Sequence, residues 1–161
     1  MQRRTAGTAL LLGMAGSTAL VLGAESAACP KASCGGLTED DLRSYLAKFN
    51  ARDYAAVSGY YAPDVIFVGQ AAQVVGRKAV IDFYTEVHKH LKETVTLGPV
   101  MVGEQGIAAE LHTRLEAFDD YKLGTGLIKK GEVRTSINFA IYEVKDRQFV
   151  RVRTASYQRS A

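Results

Sequence analysis

The residues best suited to chemistry lie in the segment 110–116, whose sequence is ELHTRLE. A β-strand turns successive side chains to opposite faces, so Glu110, His112, Arg114 and Glu116 share one face. A guanidinium between an imidazole and a carboxylate keeps the carboxylate ionised, and an imidazole transfers protons near neutral pH. If this face lines a cavity, we expect acid–base catalysis with His112 or Glu116 as the base and Arg114 fixing the charge of Glu116. The alternative is a solvated face whose charges pair with a neighbouring strand.

The remaining histidines, His88 and His90, are two residues apart on a predicted helix. Their side chains diverge by about 200°, so they are poorly placed to bind one metal ion together. Each is expected to be an exposed or edge histidine. The sequence contains no phosphate-binding loop, nucleotide fingerprint, Ser-His-Asp order or zinc motif. We therefore expect no cofactor and no metal site.

Residues 1–28 have the pattern of an export signal. Arg3 and Arg4 precede an uncharged stretch of small and apolar residues, and small residues follow near position 28, where a signal peptidase would cut. Glycines and threonines interrupt the stretch, which argues against a permanent membrane span. The pattern predicts a secreted or periplasmic protein, by an ordinary secretory or a twin-arginine route. In such an oxidising compartment Cys29 and Cys34 are expected to form a disulfide.

The helices expected to position the site come first in the chain. Thr38 and Asp41 have the spacing of a capping box, and an apolar face with helical spacing follows them, which predicts a helix over residues 38–50. A second, short helix is expected over 53–61 and a third over 77–91, with a short strand over 65–68 between them.

From Thr94 onwards the apolar residues alternate with period two. This pattern predicts four long strands over residues 94–102, 107–118, 132–144 and 149–157. Helices followed by a run of strands indicate the α+β class, with a curved antiparallel sheet packed against N-terminal helices. The predicted organisation is an export signal (1–28), a cysteine-containing linker (29–36), one domain (37–158) and a short tail (159–161).

Composition narrows the classes of function. The chain has 161 residues, of which 47% are hydrophobic and 23% charged, as in an ordinary single-domain globular protein. The net charge is +3, from 20 basic and 17 acidic residues, and the basic residues form no stripe interleaved with aromatic residues. These properties argue against disorder and against nucleic-acid binding.

Three segments carry a resemblance to a known family: YLAKFNARD at 45–53, YAPDV at 61–65 and VGRKAVIDFY at 75–84. Together with the order of elements, they resemble the nuclear transport factor 2-like superfamily, which includes ketosteroid isomerases, limonene epoxide hydrolase and SnoaL-like polyketide cyclases. The resemblance covers residues 37–158. It implies a cone-shaped domain with an apolar interior that binds a small apolar metabolite, and a homodimer formed through the outer face of the sheet.

The resemblance also implies site residues. Tyr45, Tyr61 and Tyr84 match tyrosines that form a hydrogen-bonded set in ketosteroid isomerases, and Asn138 falls where that family has an acidic donor. Tyr45 and Asn138 would then donate to a developing oxyanion, while Tyr61, Tyr84 and Phe67 would contact the ligand. The alternative is that the tyrosines are ordinary core residues.

Two positions depart from the pattern of the family. Gly69 stands where the isomerases have their catalytic aspartate. Residues 154–156 contain no carboxylate, although limonene epoxide hydrolase has its second acid there, and only the pair Arg114 and Glu116 resembles its Arg-x-acid strand. By this comparison the base of an enzyme would have to be His112 or Glu116.

Two functions follow from the sequence. The first is a cofactor-independent isomerase, cyclase or dehydratase that acts on an apolar, carbonyl-bearing metabolite in the cone. The alternative is a non-catalytic exported domain of the same fold that binds a ligand or dimerises. The two functions differ in where the charged face of residues 110–116 points: an enzyme requires it to face the cone, whereas a binding domain allows it to face the solvent.

Overall fold

The computed structural model describes residues 33–34 and 36–160. The predicted export signal, Cys29 and the side chain of Cys34 lie outside the described residues, and so does the predicted disulfide. Within the described part, none of the helices is both long and apolar enough to span a membrane.

Three helices form one layer of the domain: α1 (Glu39–Asn50), α2 (Tyr54–Ser58) and α3 (Arg77–His90). The predicted capping box begins α1, because the Thr38 backbone N–H donates to the Asp41 carboxylate at 2.9 Å and the Asp41 N–H donates back to the Thr38 hydroxyl. The predicted apolar face of α1 is buried, and it comprises Leu42, Tyr45, Leu46 and Phe49.

The strands form the second layer, and the four long ones lie close to their predicted positions. In chain order the strands are β1 (Ser33–Cys34), β2 (Leu37–Thr38), β3 (Tyr61–Val68), β4 (Gln73–Val75), β5 (Leu91–Gly103), β6 (Gly106–Ala117), β7 (Tyr121–Leu123), β8 (Gly126–Ile128), β9 (Val133–Lys145) and β10 (Gln148–Ser160). The predicted loop between β6 and β9 contains the β7–β8 hairpin. β10 continues two residues beyond the predicted end of the domain.

Six strands form the main sheet in the order β4-β3-β10-β9-β6-β5. The predicted α+β class, with a curved sheet packed against helices, is confirmed. One pair departs from the antiparallel arrangement, because β10 pairs with β3 in parallel. The antiparallel run β5-β6-β9-β10 ends beside the early β3–β4 hairpin, and the helices and strands between β3 and β10 provide the long connection that a parallel pair needs. The sheet is therefore mixed.

The concave face of the sheet packs on the helices. Bulges interrupt the pairing of β5 with β6 after Leu97, and the pairing of β9 with β10 after Phe149 and after Ser156. Bulges bend strands, so these irregularities curve the sheet around α1 and α3. The centre of the core is aromatic, with the rings of Tyr45 and Phe149 5.2 Å apart.

Candidate functional site

A cavity of about 220 Å³ lies between α3 and the concave face of the sheet. Its apolar wall comes from α3, β3, β5 and β6 and includes Phe67, Phe83, Val95, Leu111 and Leu115. Polar side chains enter from β9 and β10, and the turn of the β7–β8 hairpin closes one side. An apolar pocket with a few polar groups is the usual form of a small-molecule site.

The ionisable face of β6 points away from this cavity. The side chains of His112, Arg114 and Glu116 are 50%, 47% and 40% exposed, and none of them lines the cavity. The residues of β6 that do line it are Leu111, Thr113 and Leu115. The predicted alternation of side chains along β6 is therefore observed. The catalytic role predicted for His112, Arg114 and Glu116 requires the charged face to point into the cavity, whereas the structure places this face on the outside of the sheet.

The charges on this outer face pair with one another along the strand. The His112 imidazole contacts the Glu110 carboxylate at 2.7 Å, and Arg114 donates to Glu116 at 2.7 Å. The hydrogen bond from Arg114 lowers the pKa of Glu116. These contacts match the alternative of a solvated face, except that the charges pair within β6 and not with a neighbouring strand. Arg153, on β10, pairs with Glu143 of β9 at 2.9 Å.

Asn138 lies in the cavity wall at the centre of a polar cluster. Its amide group donates to Thr113 at 3.0 Å and to Ser136 at 3.2 Å, while Ser156 donates to its carbonyl oxygen. All four residues line the cavity. Because both amide protons of Asn138 are already used, the hydroxyl protons of Thr113 and Ser136 are the ones free to point to a ligand.

The three predicted tyrosines separate into two groups. The hydroxyls of Tyr45 and Tyr61 are hydrogen-bonded to each other at 2.5 Å in the core, and neither residue lines the cavity. Tyr84 and Phe67 do line it. Burial, with a smaller effect of the Glu93 charge, raises the pKa of Tyr84 well above its usual value, so the hydroxyl stays protonated and can donate.

The two positions that depart from the family pattern face the same cavity. Gly69 and Thr154 are both in its lining. A Cβ atom at position 69 would meet the Phe67 ring at 2.9 Å and the Thr154 hydroxyl at 3.2 Å. A side chain at position 69 would thus require Phe67 to move, and no carboxylate enters from this side.

A carboxylate enters instead from β5, and the sequence analysis missed it. Glu93 lines the cavity with its side chain 15% exposed, and its Oε2 atom is 3.0 Å from Nε2 of His88. His88 is only 4% exposed, so the prediction of an exposed or edge histidine is wrong for this residue. Its other ring nitrogen, Nδ1, is hydrogen-bonded to the Tyr54 hydroxyl.

Tyr54, His88 and Glu93 form a hydrogen-bonded series. Its hydrogen bonds can be made with the His88 imidazole either neutral or protonated. When His88 is neutral, Tyr54 donates to Nδ1 and Nε2–H donates to Glu93. When His88 is protonated, Nδ1–H donates to the Tyr54 oxygen, and the Tyr54 proton turns to the carbonyl oxygen of Tyr84, 3.4 Å away. Each polar atom of this hydrogen-bonded series therefore has a partner in both arrangements.

Side chains of α1 and of the turn after it fix the backbone that carries Glu93. Arg52 donates to the Glu93 carbonyl oxygen at 2.7 Å. Asn50 makes two hydrogen bonds with the backbone of Val95, at 2.8 and 2.9 Å. These hydrogen bonds fix the backbone of β5 at Glu93 and at Val95. The Glu93 carboxylate therefore has a defined position.

A helical-wheel signal for His88 is present in the sequence. His88 follows Tyr84 by four residues and so lies on the same face of α3 as this tyrosine, which packs against the core. The signal for Glu93 is the period of two, because Glu93 lies between Leu91 and Val95 on the buried face of β5. Among the described residues, no three His, Cys, Asp or Glu side chains form a group that could hold a metal ion.

Solved structures share this fold. A protein from Pseudomonas putida KT2440, provisionally described as a polyketide cyclase, is 22% identical, with a TM-score of 0.62 over 71% of this chain and 86% of its own. A protein from Silicibacter sp. TM1040 with the same description is 20% identical, with a TM-score of 0.63 over 73% and 86% of the two chains. An LEH-like epoxide hydrolase from M. tuberculosis is 10% identical, with a TM-score of 0.60 over 73% and 80%.

None of the curated proteins matches the chain. The model of the SnoaL-like domain, in contrast, matches residues 42–152, which include all of the elements from α2 to β9 and most of α1. The predicted SnoaL-like resemblance is thereby confirmed, and the chain belongs to the SnoaL-like domain family.

Proposed function

We propose that the protein is a cofactor-independent acid–base enzyme, an isomerase, cyclase or dehydratase, that acts on an apolar carbonyl compound in the cavity. The observation that carries the proposal is the Glu93 carboxylate in the cavity wall, backed by the buried His88 at 3.0 Å. Glu93 takes the proton from the carbon next to the carbonyl group. The electron pair of that C–H bond forms a carbon–carbon double bond, and the π pair of the carbonyl group moves to its oxygen, which gives an enolate.

Three hydroxyl groups are available to stabilise the enolate oxygen. Thr113 and Ser136 each accept a hydrogen bond from Asn138 and keep their own proton for a ligand. Tyr84 stands on the opposite wall, and its raised pKa keeps the hydroxyl proton available for a ligand. Fixed donors in a site with little water stabilise developing negative charge effectively. In this proposal Asn138 orients two donors and does not itself donate to the ligand.

Proton exchange tests the proposal without knowledge of the natural substrate. The protein is incubated in deuterium oxide with α-tetralone, an apolar aromatic ketone, and deuterium incorporation next to the carbonyl is followed by NMR. We expect exchange well above that of the buffer, and Glu93→Gln should lower it by about 10²–10⁴-fold, as for loss of a general base.

Glu116→Gln is the matched control for this experiment. It makes the same chemical change on the outer face, where the carboxylate does not line the cavity. Exchange by this variant should stay within about twofold of the parent, since a single exposed side chain far from a site has little effect. Equal exchange by the parent and Glu93→Gln would contradict the proposal.

A non-catalytic ligand-binding domain is the second candidate. The lack of a carboxylate at Gly69 and Thr154, where related enzymes carry acids, favours it. Binding of α-tetralone without any deuterium exchange would support this candidate over the enzyme.

We propose further that the outer face of the sheet forms a homodimer. Met101, Phe139, Ile141 and Tyr157 are exposed on strands β5, β9 and β10, and the rings of Phe139 and Tyr157 stack with centroids 4.5 Å apart. An apolar patch on an open sheet face is typical of an interface.

Export remains part of the proposal as well. We propose that the protein is secreted or periplasmic after cleavage near residue 28, with a disulfide between Cys29 and Cys34. The intact mass of secreted protein, before and after reduction, tests both statements. Retention of Met1 or two free thiols would contradict them.

A further inference from the structure

Charged side chains are few in the cavity wall. Among the described residues that line it, only Glu93, Arg134 and Arg159 carry a formal charge. The two arginines lie together, because Arg159 of β10 is paired with Ser136 of β9, and Arg134 is two residues from Ser136 on the same face. The cavity is thus acidic at β5 and basic at β9 and β10.

The register of the sheet gives the separation of these two ends. Glu93 is paired with Leu115 of β6, and Leu115 is paired with Arg134 of β9, so the three residues form one row across the sheet. Neighbouring strands are about 4.8 Å apart, which puts the backbones of Glu93 and Arg134 about 10 Å apart with an apolar side chain between them. The two ends are separated by roughly the length of a small apolar molecule.

The two arginines differ in what they already bind. Arg134 donates through Nε to Glu132 at 2.6 Å and through its terminal nitrogen Nη2 to the carbonyl oxygen of Leu127. Glu132 therefore balances the charge of Arg134. Arg159 is the only arginine of the described part of the chain with no hydrogen bond or ion pair to another described residue. Among the described residues, none compensates the charge of Arg159 at the mouth of the cavity.

We propose that the ligand of this cavity carries an anionic group, which Arg159 binds at the mouth beside Arg134, while the carbonyl end of the ligand reaches Glu93. A guanidinium presents a fork of N–H donors that matches the oxygens of a carboxylate or a phosphate. The substrate class is therefore an apolar carbonyl compound with an acidic group at its far end. This inference rests on the proposed function, because both require that an apolar molecule binds in the cavity.

Displacement of a neutral fluorescent probe measures the contribution of the anionic group. N-phenyl-1-naphthylamine, which fluoresces in apolar surroundings, is bound to the protein and displaced by octanol, octanoate or octyl phosphate. The three competitors share one apolar chain and differ in the head group. We expect the parent protein to prefer an anionic competitor over octanol, and the better of octanoate and octyl phosphate identifies the acidic group.

Arg159→Gln should lower the preference for the anionic competitor over octanol by about 10-fold, the effect of losing one charge-assisted hydrogen bond. Arg159→Lys, which keeps the charge, should restore most of the preference. Arg153→Gln is the matched control, because it removes the same charge from the outer face and should leave the preference unchanged.

The outcomes separate this inference from the proposed function. If the probe binds and Arg159→Gln leaves the preference unchanged, the anionic site is contradicted and the acid–base proposal stands. Leu115→Trp, which fills the row between Glu93 and Arg134, should abolish probe binding. If the probe does not bind, or still binds to Leu115→Trp, the probe does not occupy the cavity and this inference is contradicted, while the α-tetralone exchange still decides the proposed function.

Discussion

The two faces of β6 differ in how their polar groups are used. On the outer face, Glu110, His112, Arg114 and Glu116 pair with one another in a largely solvated row. On the inner face, Thr113 is the only polar side chain between Leu111 and Leu115, and it belongs to the cluster around Asn138. The comparison teaches that a dense row of charges can be internally satisfied, whereas one hydroxyl in an apolar wall keeps a proton for a ligand.

The largest expected difference between the two faces is in stability. Leu111→Ala removes a buried side chain of the inner face and should lower the free energy of unfolding by about 2–3 kcal/mol, at the lower end of the usual range because a cavity is already present. His112→Ala, the next residue, should change it by no more than about 0.5 kcal/mol. Urea unfolding of both variants measures the difference, and equal effects would show that both faces are buried.

The second prediction concerns the apolar part of the outer face. Phe139→Glu places a charge in the proposed dimer interface and should raise the dissociation constant of the dimer at least about 30-fold, as expected for a central aromatic residue. Leu127→Glu, an equally exposed apolar residue on the β7–β8 hairpin, is the control and should leave it unchanged. Sedimentation velocity over a range of concentrations gives both constants. A parent protein that is monomeric at all concentrations would rule the dimer out.

The third prediction tests the relay behind the cavity wall. Tyr54→Phe removes the partner of His88 Nδ1 and should lower α-tetralone exchange by about 3- to 10-fold, which corresponds to one hydrogen bond of about 0.5–1.5 kcal/mol. Tyr60→Phe, which loses only the hydrogen bond with Lys48, should exchange like the parent. If Tyr54→Phe leaves both the exchange rate and its pH profile unchanged, the Tyr54 hydroxyl does not contribute to the action of His88 and Glu93.

The smallest effect is expected from the outer charges. Hydrogen bonds from Tyr157 and then from His112 lower the pKa of Glu110 below its ordinary value of 4.5. A carboxyl with a lowered pKa in the folded state contributes stability above its unfolded pKa, and this contribution is lost as the pH falls through the folded pKa. Tyr157→Phe should move the pKa of Glu110 back towards 4.5, measured by carbon NMR of the carboxyl group. An unchanged pKa would show that the Tyr157 hydrogen bond is not formed in solution.

Much of the fold could be predicted because its signals are local. The Thr38–Asp41 capping box and the apolar face of α1 are formed as the spacing indicates. The period of two in β6 correctly separated Leu111, Thr113 and Leu115 from their charged neighbours. The parallel pairing of β10 with β3 has no local signal, because it depends on where two distant segments meet.

The site was predicted less well for the same physical reason. The apolar residues of ELHTRLE indicate that Leu111 and Leu115 face the core, but whether that side holds a cavity depends on the curvature of the whole sheet. His88 was expected to be exposed, although its position four residues after Tyr84 places it on the face of α3 where Phe49, Tyr54 and Tyr84 surround its ring. Asn138, Tyr84 and Phe67 were placed in the cavity through the resemblance, and Glu93 has no counterpart among the residues quoted for it.

The position of β10 has a consequence for the order of assembly. β10 is the last of the six strands in the chain, yet it lies between β3 and β9 in the sheet. While the polypeptide is being synthesised, the β3–β4 hairpin and the β5-β6-β9 meander are each left with an unpaired edge until β10 emerges. Such edges invite wrong pairing between chains. Until β10 has paired, the chain therefore exposes more strand edge than a meander that closes in chain order would.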